Sequence, residues 1–296
     1  IDNYDLQKPL SKQEHKETLS NEIRCKGSTM AEVPVPPANL KALRHYIQAI
    51  EGFTRKTEAV LSLGPVEIDQ ALPWGGLPLF CLHHVVGSGE AFGRRGFSPP
   101  ATAFVATLAA RLKERFKDRG TVVWCLPRYQ AADNLYGPAL AMLGLDEKAL
   151  ILAKTKNETE ALWTMEEALG CADVSAVVGA LAAPLNLTAE RRLQLAAERG
   201  RTTGFLLQPS AAVTTSTAAV TRWRVGSLPS AAPAWPGLGR PRWSLTLDRC
   251  RQGNTRSWIV EWCDETRNLR LATPLRHRSV DPVTVGATVT PLRSVA

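Results

Sequence analysis

The chain has 296 residues, of which 44% are hydrophobic, and its formal net charge is +8. This length accommodates one core of about 200 residues with flanking tails, and the positive charge favours nucleic acid or an acidic protein as a partner. No apolar run reaches the roughly 18 residues that a membrane span needs. The polar N-terminus and the lack of paired cysteine spacings argue against a secretory signal and a zinc site, and we expect a cytoplasmic protein.

The first part of the chain differs in composition from the rest. Residues 1–29 are rich in Lys, Glu, Asn and Gln, and the first methionine is Met30. They indicate a disordered arm or translated upstream sequence, and we assign residues 1–38 to this segment. Leucine and isoleucine at helical spacing then predict a helix over 39–51, which begins the folded domain at 39–272.

The segment that follows has the layout of a phosphate-binding loop without its functional residues. A turn at 72–78 leads into an apolar strand over 79–86, and a helix is predicted over 101–116. A P-loop between such elements uses a lysine and a Ser or Thr to hold phosphate and magnesium. Glu90, Ala91 and Phe92 stand where this pair is expected. We interpret the turn as a vestigial cradle and expect no bound cofactor; its residues are Gly87, Ser88 and Gly89.

Strands and helices continue to alternate as far as residue 207. The further predicted strands are short and almost wholly apolar, as in a parallel sheet that is covered on both faces. This alternation predicts an α/β fold with a parallel sheet and right-handed crossovers. The predicted strands lie at 121–126, 150–153, 174–181 and 204–207, and the predicted helices lie at 135–143, 158–169 and 188–199.

After residue 220 the pattern changes to alternation of apolar and polar side chains. Trp223 and Val225 alternate with Arg222 and Arg224, and two later segments around Trp243 and Trp258 behave in the same way. This period of two predicts antiparallel strands with one buried and one solvent-facing side. The segment 228–241 is a linker or exposed loop, and residues 273–296 are predicted to form a disordered tail.

Several side chains are candidates for binding DNA or a protein partner. Interleaved arginine and tryptophan can bind single strands through phosphate contact and stacking, although the alternation places the tryptophans in the core and leaves the arginines for the exposed face. Trp235 lies in the linker, where a lone tryptophan can anchor a partner. The candidates are Arg222, Arg224, Arg240, Arg242, Arg249, Arg251, Gln208 and Trp235.

Metal binding is not expected. His83 and His84 are adjacent on a predicted strand, so their side chains point to opposite faces and do not readily share one ion. The sequence offers no third ligand nearby. We therefore expect one of these histidines to be packed in the core and the other to be exposed.

The order of these elements resembles the RecA-type recombinase core. Gly-Gly-Leu-Pro at 75–78 resembles the stretch before its P-loop strand, and 172–179 resembles its Walker B strand, with Gly179 in place of the aspartate. Leu126 and Pro127 stand where the resemblance places the catalytic glutamate. Gln208 ends the strand that resembles the one carrying the nucleotide-sensing glutamine. The fold expected is a RecA-like core with a mostly parallel sheet flanked by helices and antiparallel C-terminal strands.

More narrowly, the chain resembles the ImuA family, the RecA-like accessory proteins of bacterial SOS mutagenesis cassettes. The similar stretches are 72–79, 191–198, 202–209 and 242–251. This resemblance implies SOS-linked translesion synthesis after DNA damage, with RecA, the Y-family-like protein ImuB and an error-prone replicative-type polymerase as partners, and single-stranded DNA as a further candidate. A working ATPase of this fold needs charged groups around the phosphates.

The absence of these charged groups from the sequence predicts a non-catalytic protein that bridges polymerase components and RecA or DNA. Two alternatives are a weak or atypical RecA-type DNA-dependent ATPase and a plain single-stranded DNA-binding module. The ATPase predicts measurable nucleotide binding, whereas the DNA-binding module predicts tight, salt-sensitive binding to single strands.

Overall fold

The structure is a computed structural model that describes residues 59–88, 97–128, 135–214, 216–231, 237 and 239–272. The predicted N-terminal arm, the helix over 39–51 and the tail over 273–296 lie outside these residues, so the domain boundaries stay a prediction. The helices are α1 (Val66–Asp69), α2 (Pro99–Arg115), α3 (Gly137–Met142), α4 (Glu158–Gly170) and α5 (Leu187–Gly200). The strands are β1 (Val60–Leu61), β2 (Leu77–Pro78), β3 (Leu82–Gly87), β4 (Thr121–Pro127), β5 (Leu150–Thr155), β6 (Val174–Ala180), β7 (Thr203–Gln208), β8 (Thr221–Leu228), β9 (Arg242–Cys250), β10 (Arg256–Cys263) and β11 (Asn268–Leu271).

One large sheet organises the described part of the chain. Its strand order is β11-β10-β9-β8-β3-β7-β6-β4-β5, and β1 pairs separately with β2. The six strands from β8 to β5 are parallel to one another, and the remaining three pair antiparallel. The predicted α/β fold, with a mostly parallel RecA-like core and antiparallel C-terminal strands, is confirmed.

The sheet has a hydrophobic core on each face. On one face α2 packs its buried Phe104, Val105 and Leu108 against the central strands. On the other face α4 and α5 cover a smaller core that includes Met165 and Leu193. Burial on both faces explains why β4 and β6 are almost entirely apolar in sequence.

The antiparallel strands extend the α2-side core. Trp223 is fully buried, with its ring centroid 6.0 Å from Phe104 and 6.2 Å from Trp258. Trp243 and Trp262 are buried on the same side. The prediction that the tryptophans of these strands belong to the core is therefore confirmed. Packing of these buried, mutually tilted aromatic rings holds the antiparallel strands to the rest of the sheet.

Two predicted boundaries are shifted for local reasons. Phe80 has a left-handed backbone conformation with φ of 60°, so the strand predicted from residue 79 begins only at Leu82. Helix α2 begins at Pro99 instead of residue 101, because proline suits the first helical positions, where no amide partner is needed. Among the described residues, no helix is both long enough and apolar enough to cross a membrane.

The close approach of α4 and α5 generates a stability prediction. A Cβ atom added at Gly200 would overlap the carbonyl oxygen of Leu169 and lie 2.8 Å from the backbone of Gly170. Because backbone atoms cannot rotate away, we expect Gly200→Ala to lower the free energy of unfolding by about 2–3 kcal/mol, measured by urea denaturation. Gly137→Ala is the matched control, since no atom lies within 4 Å of its added Cβ. Equal stability of both variants would contradict the tight helix contact.

Candidate functional site

The vestigial loop, which begins at the predicted cradle Gly87–Gly89 and ends before α2, lies at the carboxyl edge of the parallel sheet. Its two described ends are closely packed. Gly87 ends β3, and a Cβ atom added there would overlap the Cβ of Ser98. The amide of Ser88 donates to the carbonyl of Val225 at 2.7 Å. Gly89 and residues 90–96 lie outside the described residues. Ser98 therefore occupies the space that a side chain at position 87 would need.

The start of α2 also lacks donors. Its first two residues, Pro99 and Pro100, have no backbone N–H. The amide of Thr102 already donates to the carbonyl of Ser98 at 2.9 Å. A helix N-terminus binds phosphate through free amide groups and its positive dipole end. Only the amide of Ala101 remains among the first helical donors, so this helix end offers little to an anion.

The positions where the RecA resemblance predicts carboxylates are apolar and packed. A Cβ atom added at Gly179 in β6 would overlap the sulfur of Met165 in α4. Leu126 and Pro127 form the buried end of β4. A carboxylate at either place would therefore meet apolar side chains in the present packing.

Gln208 is held by a hydrogen bond to a loop instead of facing an open cleft. It is 1% exposed, and its Nε2 donates to the carbonyl of Ala183 at 2.6 Å. The carboxylate of Glu158, the first residue of α4, accepts from the amides of Ala182 and Ala183 at 2.9–3.1 Å. The loop after β6 is thus fixed from two sides, and it occupies this edge of the sheet.

A buried polar set connects β8, β3 and β7 on the face that α4 and α5 cover. The Nε of Arg222 donates to Nδ1 of His84 at 3.1 Å. Burial first, and the positive charge of Arg222 second, lower the pKa of His84 to about 3, while Gln208 opposes this shift. His84 is therefore neutral at physiological pH and carries its proton on Nε2. Burial also lowers the pKa of Arg222, which Glu190 opposes.

Glu190 in the first turn of α5 is the acidic counterpart of this set. It is 1% exposed and accepts from the hydroxyl of Thr217 at 2.5 Å and the amide of Ala218 at 2.7 Å. These bonds hold the segment that leads into β8. The carboxylate accepts hydrogen bonds from this loop, and its negative charge lowers the electrostatic cost of burying the guanidinium of Arg222.

The second histidine of the pair is also buried, so the expectation that one would be exposed is wrong. His83 Nε2 donates to the carbonyl of Pro78 at 2.8 Å, and Nδ1 accepts from the hydroxyl of Thr221 at 2.7 Å. Burial lowers the pKa of His83 to about 4. Within the described residues, no group of three or more His, Cys, Asp or Glu side chains is arranged to hold a metal ion.

The structure separates the six candidate arginines by burial. Arg222 and Arg242 are 6% and 7% exposed, so the expectation of a fully exposed arginine face is wrong for these two. Arg242 pairs with Glu261 through its Nε at 2.8 Å. Arg224 pairs with Asp248 at 2.7 Å, and Arg240 pairs with Glu265 at 2.8 Å. Cross-strand and loop carboxylates thus neutralise three of the six.

The remaining candidates have different environments. Arg249 is exposed and has no ion pair within the described residues. Arg251 is half-buried, and one of its terminal nitrogens donates to the carbonyl of Ala218 at 3.4 Å. Trp235 lies outside the described residues. The eight candidate binding residues therefore do not form one exposed surface.

Sequence reasoning missed the residues that close this edge of the sheet. Ser98 and Glu158 carried no signal, because their roles depend on contacts with residues distant along the chain. The consecutive prolines at 99 and 100 were a usable signal, since they mark a helix start that lacks donors. Glu190 was not among the candidates, although it holds the loop at 217–218.

The fold and the packing of this edge define a RecA-like α/β protein. The chain is similar to "Protein ImuA" from two strains of Caulobacter vibrioides, NA1000 / CB15N and ATCC 19089 / CIP 103742 / CB 15. Each is 38% identical over 222 residues, which cover 72% of this chain and 87% of the relative. No family model matches the chain. The chain belongs to the ImuA family, the RecA-like accessory proteins of SOS mutagenesis to which its sequence stretches are similar.

The buried ion pair generates a second stability prediction. Glu261→Ala would leave the guanidinium of Arg242 buried without its anion, and we expect a loss of about 2–4 kcal/mol in the free energy of unfolding. Glu265→Ala removes the partner of the exposed Arg240 and should leave the urea midpoint unchanged. Comparable losses in the two variants would show that burial of Arg242 does not decide the strength of its pair.

The two buried histidines predict acid sensitivity. Their pKa values lie below the usual 6.5 in the folded chain, so between about pH 6.5 and 4 the unfolded chain binds more protons than the folded one. The free energy of unfolding should therefore fall with decreasing pH, by about 1.4 kcal/mol per pH unit for each histidine. Urea denaturation between pH 7.5 and 4.5 measures this slope. His84→Gln should roughly halve it, and a flat profile in the parent chain would contradict neutral burial.

Proposed function

We propose that this chain is a non-catalytic RecA-like accessory protein of SOS-induced, error-prone translesion DNA synthesis. Membership of the ImuA family supports the process. The observation that carries the non-catalytic role is the packing of Ser98 into the space that a side chain at position 87 would need. In this role the chain bridges mutasome polymerase components and RecA or DNA, and it acts through its surfaces.

The absence of hydrolysis follows from what phosphoryl transfer requires. Its catalysis is almost entirely positioning and electrostatic stabilisation of the phosphates. Helix α2 begins with two residues that lack amide donors, and the positions expected for the lysine and its hydroxyl neighbour hold Glu90 and Ala91. Glycine at position 179 supplies no carboxylate for magnesium. Each loss alone weakens nucleotide chemistry, and together they remove the groups that would bind and activate ATP.

Exposed apolar side chains support a role in protein contact. Strand β5 forms one edge of the sheet, and its Ile151 and Leu152 are 55% and 37% exposed. Trp163 on α4 and Met142 at the end of α3 are more than 60% exposed. An exposed apolar edge strand favours pairing with another chain. We infer that the exposed apolar side chains of β5 contact one of the proteins that the chain bridges, which are RecA, ImuB and the error-prone replicative-type polymerase.

Calorimetry tests the non-catalytic role. We expect no binding heat when the full chain is titrated with ATP and magnesium to millimolar concentration, and no phosphate release with or without single-stranded DNA. A working RecA-type ATPase under the same conditions is the positive control. Binding accompanied by turnover would contradict the proposal and favour an atypical DNA-dependent ATPase.

Capture experiments test the bridging role. The full chain, immobilised, should retain at least one of RecA, ImuB and the error-prone polymerase, each supplied as purified protein. Charged residues on an edge strand oppose pairing with another strand, so Ile151→Lys with Leu152→Lys should reduce retention at least tenfold. Leu195→Lys is the control, because Leu195 is 48% exposed on α5. Equal retention by both variants would exclude the β5 edge as the contact surface.

A further inference from the structure

Four residues meet at the amino edge of the parallel sheet, opposite the vestigial loop. Phe80 lies just before β3, Phe116 and Arg119 lie just before β4, and Arg201 lies just before β7. Since these three strands are parallel, the segments that precede them converge on one edge. This convergence brings together an aromatic and basic group that is dispersed in the sequence.

The contacts within the group are continuous. The guanidinium carbon of Arg201 lies 4.7 Å from the ring centroid of Phe80. The Phe80 and Phe116 ring centroids are 5.8 Å apart, and the guanidinium carbon of Arg115 lies 5.9 Å from the Phe116 centroid. Arg119 donates to the carbonyl of Arg201 at 3.3 Å. We call these five residues, Phe80, Arg115, Phe116, Arg119 and Arg201, the amino-edge surface.

The two residues in closest contact both adopt the left-handed backbone conformation. Phe80 has φ of 60° and Arg201 has φ of 52°, and this region is uncommon for residues other than glycine. The amide of Phe80 is fixed by the hydroxyl of Thr203 at 3.1 Å. The conformation leaves the Phe80 ring half-buried under an exposed guanidinium. Such backbone strain is found preferentially at functional sites.

The amino-edge surface lies among charges of both signs. Six basic residues lie on the segments that form it, together with the acidic residues Glu114, Asp118 and Glu198. Strand β6 lies between β7 and β4, so the exposed Asp173 just before it is at the same edge. The carboxyl ends of α2, α4 and α5 add roughly half a negative charge each, so the edge is close to neutral and the exposed guanidinium groups act by their position. The basic residues are Lys113, Arg115, Lys117, Arg119, Arg199 and Arg201.

We propose that the amino-edge surface binds single-stranded nucleic acid. The guanidinium of Arg201 lies over the Phe80 ring, and its exposed side is available to stack against a base. Arg115 and Arg119 contact the phosphates on either side. A base that is available for stacking must be unpaired, so the surface selects single strands over duplex. This site is distinct from the arginines of β8 and β9, of which Arg224 and Arg242 are already paired with carboxylates.

Fluorescence anisotropy with the full chain and a labelled oligothymidylate tests the proposal. The variant Arg115→Glu, Arg119→Glu, Arg201→Glu should bind at least tenfold more weakly. The dependence of log affinity on log salt should become shallower by about 1.4, as expected when the two phosphate contacts of Arg115 and Arg119 are lost. The matched control is Lys148→Glu, Lys154→Glu, Arg191→Glu, which changes the net charge equally at exposed positions elsewhere. If the glutamate triple variant fails to fold, the triple glutamine variant replaces it.

Aromatic substitutions test stacking separately from charge. Phe80→Leu keeps an apolar side chain but removes the platform under Arg201. It should weaken binding about fivefold or more without changing the salt dependence. An oligouridylate of equal length compares RNA with DNA, and tighter binding of either one supports the site.

Several results would overturn the proposal. One is the absence of binding by the parent chain at micromolar concentration, and another is an equal loss of affinity in the control triple variant. Equal affinity for a duplex of the same length would show that no unpaired base stacks on Arg201. Equally tight binding of polyglutamate would assign the surface to an acidic protein and would also overturn it.

Discussion

Strand β8 is the constraint on which the rest of the sheet depends. It pairs parallel with β3 on one side and antiparallel with β9 on the other. Its Trp223 is buried between Phe104 of α2 and Trp258 of β10. Trp243 and Trp262 belong to the same core, so aromatic packing centred on β8 joins the antiparallel strands to the α/β core.

The opposite face of the same strand carries a buried charge. Arg222 has no direct carboxylate partner within the described part of the chain; it donates to neutral His84, and Glu190 lies close enough to influence the pKa of Arg222. Burying a charge is costly unless it is paired and hydrogen-bonded. The hydrogen bonds of Glu190 to Thr217 and Ala218 hold this carboxylate in place. The polar set therefore stabilises one arrangement of β8, β3 and α5, in which Gln208 is bonded to the loop after β6.

Much of the fold could be predicted from the sequence, because burial on both faces leaves continuous apolar runs in β4, β6 and β7. Alternation in β8–β10 also assigned the tryptophans to the core. It could not distinguish Arg224, which is partly exposed, from Arg222, which is buried on the same face. That difference depends on α5 and the loop at 217–218, which cover one end of the strand. The pairing of Arg242 with Glu261 was equally hidden, since it follows from the register of β9 and β10.

The two edges of the parallel sheet have different relations to binding. At the carboxyl edge, side chains pack against or bond to the neighbouring loops: Ser98 packs on Gly87, and Glu158 and Gln208 hold the loop at 182–183. At the amino edge, Arg115 and Arg201 are exposed beside aromatic rings. Parallel strands keep these edges separated by the full strand length. Nucleic acid at the amino edge would thus leave strand β5 and the carboxyl edge free for protein. If both proposed surfaces are used, the chain holds a DNA strand and a polymerase component at once.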